Sequence, residues 1–128
     1  MNKKYIIKKL AKKVKKELKN NIDIISVIDY LQKCGYSTVF FNNNYGDEEL
    51  TRYGLESKKQ LTAFAYSETA HIVFVDSNTA VEDRLYLLLH ELGHIVLKHI
   101  GDGNLIHRNH ILIDIEADAF AYEILNHK

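Results

Sequence analysis

A chain of 128 residues with 46% hydrophobic content is long enough to bury one modest core and too short to divide into two domains, so a single domain over residues 1–128 is expected. One cysteine, Cys34, rules out an internal disulfide framework and suits a reducing compartment; no run of 18 apolar residues and no leader-like layout occurs, which together predict a soluble, cytoplasmic protein away from membranes. The formal charge of zero hides an asymmetry: residues 1–20 hold nine lysines and one glutamate, a net +8, which leaves −8 on the remaining 108.

In residues 1–20 the apolar positions Ile7, Leu10, Val14 and Leu18 recur at helical spacing while lysines fill the rest, which predicts an amphipathic, lysine-rich first helix. The simplest account of its charge is a solvated face on an acidic body. Contact with DNA is the sharper alternative, and it predicts a steeply salt-dependent affinity. A second helix is expected from about Asp23 to Cys34, with Ile24, Val27, Ile28 and Leu31 inward and Gly35 as its left-handed stop.

At Tyr36 the pattern changes: "YSTVFF" reads as a strand and "NNNYGDEE" as a polar surface loop. "QLTAFAYS" and "HIVFVD", separated by a few residues around Glu68 to Ala70, suggest a hairpin. Thr79 and Glu82 match a capping box, T-x-x-E, ahead of a helix through Leu85, Leu88, Leu89, Leu92, Ile95 and Val96. "GDGN" at 101–104 breaks that helix, and a last one runs from about His110 to Asn126 with Ile113, Ala117, Phe120, Ala121 and Ile124 on one face. The sum is an α+β class, with a small, mainly antiparallel sheet of about three strands, two helices before it and two after it.

The chemistry concentrates in "LLLHELGHIVLKH", residues 87–99. Residues four apart on a helix differ by about 40° in direction and about 6 Å in height, so His90 and His94 can aim their imidazoles at one metal ion. Glu91, about 100° round from His90 and about 60° from His94, flanks that ion and can act on water as a general base. Gly93 costs about 1 kcal/mol against alanine in a helix interior, which suggests that something approaches it closely.

Two histidines are too few for a catalytic zinc, which takes three protein ligands and keeps a fourth position open. His99 lies about 140° round the helix from His94 and points away, and Ile100 stands where a longer histidine motif would need its ligand. The last helix supplies "DIEADAFA", residues 114–121, in which Asp114 and Asp118 share a side one turn apart beside the small Ala117 and Ala121. That geometry favours Asp114 as a metal ligand and Asp118 as an acceptor for a ligand histidine. Glu116 points elsewhere on the helix and serves as the third ligand only with a shifted register.

"LHELGHIVLKH" followed by "DIEADAFAYEIL" resembles the ImmA/IrrE family of zinc metallopeptidases, and the likeness extends to "IDIISVIDYLQKCGYSTVF" and "HIVFVDSNTAVEDRLYLLLHELGH". The resemblance implies a minimal zincin-like domain of the gluzincin plan, with Zn2+ at His90 and His94, catalysis by Glu91 and a third ligand three residues before the alanine of the A-D pair. That position holds Asp114 where the family usually has glutamate. The resemblance further implies a cytoplasmic anti-repressor protease that cuts a helix-turn-helix transcriptional repressor, as in phage or mobile-element induction. A non-catalytic anti-repressor or antitoxin-paired module that sequesters its partner is the rival, supported by the shorter Asp114 side chain. For a group that steadies the developing oxyanion, Tyr66, His71, His107 and His110 are the candidates, and "QLTAFAYS" is the expected edge strand for an extended substrate.

Overall fold

The computed structural model describes residues 3–41, 48–55, 61–98 and 110–126. The chain begins with helix α1, Lys3–Glu17, which buries Ile7, Ala11 and Val14 and turns its lysines outward. Helix α2 follows at Ile24–Lys33, started by the Asp23 carboxylate accepting from the Ser26 N–H at 2.8 Å and ended past Cys34 by Gly35 at φ +92°. Tyr30 ties α2 to α1 through a 3.1 Å hydrogen bond to Glu17. Burial, then that carboxylate, push the phenol up to about 12, so it keeps its proton at any physiological pH.

Among the described residues three strands form the sheet: β1 at Ser37–Phe41, β2 at Ala63–Ser67 and β3 at His71–Asp76. Their order is β1-β3-β2, with β2 and β3 joined as the expected antiparallel hairpin and β1 parallel to β3. The sheet is therefore mixed, because β1 returns to β3 only after the chain has passed through a short helix, α3 (Glu48–Arg52), and β2. Helix α3 overlaps the end of the stretch expected as a loop. Its single buried residue, Leu50, caps the far face of the sheet, and the Glu49–Arg52 pair at 2.9 Å spans it. The rest of that polar stretch, residues 42–47, lies outside the described residues.

Alternation along the strands separates two cores. Val73 and Val75 of β3, with Ala63 and Ala65 of β2, pack under α4 and share one core with α1, α2 and α5, whereas Phe41, Phe64, Tyr66, Ile72 and Phe74 belong to a second core with Leu50 of α3. As the middle strand, β3 is covered on both faces: of its six residues only His71 is exposed.

Helix α4, Val81–Val96, carries the H-E-x-x-H motif. Its start corrects the expected capping box: Ala80 is the N-cap and no side chain caps it. Arg84 instead turns back, donating from Nη2 to the Ser77 carbonyl at 2.7 Å and from Nε to the Thr79 carbonyl at 3.1 Å, with its guanidinium over the Phe40 ring at 5.4 Å. Residues 99–109, which include His99, His107 and "GDGN", lie outside the described residues.

Helix α5, His110–Asn126, packs on α4 and α1. Ile113, Ala117, Phe120, Ala121 and Ile124 are all buried, as their spacing predicts. A Cβ built on Gly93 would lie 3.2 Å from both the Cα and the carbonyl oxygen of Ala117 and 3.2 Å from the Phe120 ring. The close approach foreseen at Gly93 is thus the backbone of α5. No helix among the described residues is long and apolar enough to cross a membrane.

Candidate metal centre

His90 and His94 leave α4 one turn apart toward α5, with His94 nearly inaccessible and their rings edge to face, centroids 4.7 Å apart. From α5, Asp114 meets them across the interface. The Nε2 atoms of the two histidines are 3.1 Å apart, Asp114 Oδ1 is 3.2 Å from His94 Nε2, and the same oxygen is 3.6 Å from His90 Nε2. Three donor atoms from two helices therefore form a nearly equilateral triangle. A tetrahedral zinc ion with bonds of about 2.0–2.2 Å spaces its ligands by roughly 3.3–3.6 Å, so the triangle has the size that such an ion needs.

The second layer supports the same reading. His90 Nδ1 lies 2.8 Å from Asp118 Oδ1. With Nδ1 donating to that carboxylate, the neutral ring carries its lone pair on Nε2, the nitrogen that faces His94 and Asp114. Asp118 also accepts from the Tyr86 hydroxyl, one turn earlier on α4. Burial, then the Asp118 carboxylate, raise the Tyr86 pKa, so the phenol stays a donor.

Glu91 sits on the buried side of α4, 6% exposed. Its carboxylate offers an oxygen within 4.8 Å of ring nitrogens of His90 and His94. Glu91, His90 and His94 could thus be taken as a ligand trio, but Asp114 reaches the two nitrogens at 3.2 and 3.6 Å and is the better third donor. Burial, then the nearby Asp114 carboxylate, push the Glu91 carboxyl up to about 8. A cation between the histidines and Asp114 opposes the second cause directly. With a cation there, Glu91 would stand beside it as a carboxylate able to hold or release a proton near neutral pH.

Glu116, the alternative ligand, is 6% exposed and turns to the other side of α5, where Lys3 of α1 approaches it at 3.9 Å. Among the residues considered for oxyanion binding, Tyr66 lies on the α3 face of the sheet and its hydroxyl bonds Thr69 at 3.0 Å. His71 bonds Ser67 at 2.6 Å and packs on Tyr36. Both are engaged around the β2–β3 turn. His107 lies outside the described residues, and of His110 only the backbone, at the start of α5, is described. Tyr86 went unnoticed in the sequence, although its spacing from His90 and His94 at steps of four puts all three on one stripe of α4.

The strand read as a substrate edge, β2, forms one edge of the sheet among the described residues, with β1 as the other. No significant match came from the curated proteins or from the solved structures. A family model described as the IrrE N-terminal-like domain, a peptidase family, matches residues 49–125, from α3 to the last turn of α5. With more than half of its length matched, and with the metal-capable residues inside the match, the chain belongs to the IrrE N-terminal-like peptidase family.

Proposed function

We propose that the protein is a zinc-dependent endopeptidase whose metal ligands are His90, His94 and Asp114 and whose general base is Glu91. One observation carries the reading: donor atoms of residues 90, 94 and 114 lie 3.1, 3.2 and 3.6 Å apart, with a buried carboxylate beside them. Zinc bound there supplies a Lewis acid that polarises a peptide carbonyl and lowers the pKa of water towards neutrality. Asp114 is the exposed member of the triangle, its side chain 61% accessible, so an extended peptide can reach the centre from that side.

Glu91 takes a proton from the attacking water as the water's oxygen bonds to the carbonyl carbon. It then returns that proton to the departing amine nitrogen as the carbon–nitrogen bond breaks. Asp118 holds the His90 ring with Nε2 directed inward through the 2.8 Å bond to Nδ1. Substrate lying along β2, an edge strand among the described residues, would add main-chain hydrogen bonds to the sheet.

For the substrate we carry over what the resemblance implies, a helix-turn-helix transcriptional repressor cut at one site, which makes the protein an anti-repressor protease. The test is incubation of the zinc-loaded protein with the repressor encoded by a neighbouring gene, read by mass spectrometry of the products. A single cleavage, lost in Glu91→Gln and after chelation, is expected. Zinc and repressor binding that persist with no cleavage in the unmodified protein would instead establish the sequestering module.

A further inference from the structure

Tyr86 has no part in the reaction outlined above, yet it shares an acceptor atom with the metal centre. Its hydroxyl and His90 Nδ1 both donate to Oδ1 of Asp118. The Asp118 side chain is 42% exposed, so water competes for that oxygen and the carboxylate has solvent to rotate into. An aspartate held by one imidazole alone would set the ring weakly, because the two partners could turn away together. Tyr86 is better anchored. It lies on the same helix as His90, one turn before it, and its ring packs against His90 at 6.0 Å and Tyr122 at 5.7 Å between centroids.

The geometry points to Tyr86 as a positioning residue: by fixing the Asp118 carboxylate from the α4 side, it keeps His90 in the Nδ1–H form with Nε2 aimed at His94 and Asp114. This rests on the reading of residues 90, 94 and 114 as a metal site. Tyr86→Phe isolates the effect because it removes one hydroxyl and leaves both ring contacts. Metal affinity falls about 10–100-fold when partners that orient ligand histidines are removed. Tyr86 acts one step further out, so the lower end, about tenfold, is expected.

The experiment is competition of purified full-length protein against a chelating dye for zinc, with wild type, Tyr86→Phe, Asp118→Ala and the double variant. Tyr86→Phe should weaken zinc binding about tenfold in the wild-type background and leave it unchanged in Asp118→Ala, where the acceptor is gone. A second readout needs no metal and no Asp118 variant. In the zinc-free protein the His90 Nδ1–H proton should give a protected NMR resonance that Tyr86→Phe broadens by exchange with water. Wild-type zinc affinity in Tyr86→Phe, an equal loss in both backgrounds, or an unchanged His90 resonance would each overturn the assignment. Failure of the wild-type chain itself to take up zinc would overturn the metal-site reading, a result separate from any effect of residue 86.

Discussion

Glu91 occupies a position that packing alone would give to leucine. It shares the buried part of α4 with Leu88, Leu89 and Leu92, and a carboxylate there is tolerated either by taking up a proton or by facing a cation. In the metal-free chain its pKa rises from 4.5 to about 8. Between those values the folded state keeps a proton that the unfolded state has released. The stability is fully present below about pH 4.5 and is lost as pH rises through about 8, on the order of 5 kcal/mol as an upper bound. Urea midpoints in the presence of a chelator should therefore fall from pH 5 to 8.5 in wild type. Glu91→Gln should flatten that slope, and equal slopes in the two proteins would contradict the burial argument.

Helical spacing alone aligned His90 with His94 and Asp114 with Asp118. Whether Asp114 or Glu116 faces α4 depended on the rotation of α5, which its contacts with α4 and α1 set: the stripe of Ile113, Ala117 and Phe120 is buried, Asp114 meets the two histidines of α4, and Glu116 turns toward Lys3 of α1. Tyr86 was hidden because tyrosine is an ordinary helix-packing residue until its hydroxyl has a partner. Asp114→Ala removes one donor from the triangle. Zinc affinity should drop by at least about tenfold, whereas Glu116→Gln, on the other side of α5, should leave it within about twofold.

At the scale of elements, the centre depends on how closely α4 and α5 approach. Gly93 allows that approach, since an added Cβ would meet two backbone atoms of Ala117 at 3.2 Å, and backbone cannot rotate aside. In Gly93→Ala a helix-propensity gain of about 1 kcal/mol offsets only part of an overpacking cost of about 1–3 kcal/mol. A net loss of about 1 kcal/mol is expected, with weakened zinc binding, because Ala117 lies between Asp114 and Asp118. Denaturant titration and dye competition measure the two effects. A more stable variant with unchanged affinity would show that the helices have room to spare.

The start of α4 illustrates where local sequence rules gave way. Thr79 and Glu82 fit a capping box by spacing, but Arg84 takes the carbonyls of Ser77 and Thr79 and places the first helical residue at Val81. Thr79→Ala should change stability by less than about 0.5 kcal/mol. Arg84→Ala, which removes two charged hydrogen bonds and the Phe40 contact, should cost about 1–3 kcal/mol by thermal melting. The reverse ranking would restore the capping box. Helix α3 escaped notice for another reason: five residues with one buried side chain, Leu50, give no periodicity to read.

For the molecule as a whole, the helices α1, α2, α4 and α5 were legible because each lays an apolar stripe on one core, and the β2–β3 hairpin because its strands are close in sequence. The parallel pairing of β1 with β3 was not, since it joins Ser37 with Ile72 across α3 and β2, a relation that no local pattern encodes. A metal ion held by His90, His94 and Asp114 would tie α4 to α5, because those residues come from both helices. Whether residues 90, 94 and 114 bind one zinc ion is tested by zinc K-edge absorption spectroscopy on protein loaded with one equivalent of zinc. The account predicts one ion per chain with two imidazoles and a carboxylate at about 2.0–2.2 Å, the carboxylate contribution changing in Asp114→Ala. A first shell without histidine scattering, or zinc that washes off the wild-type chain, would contradict it.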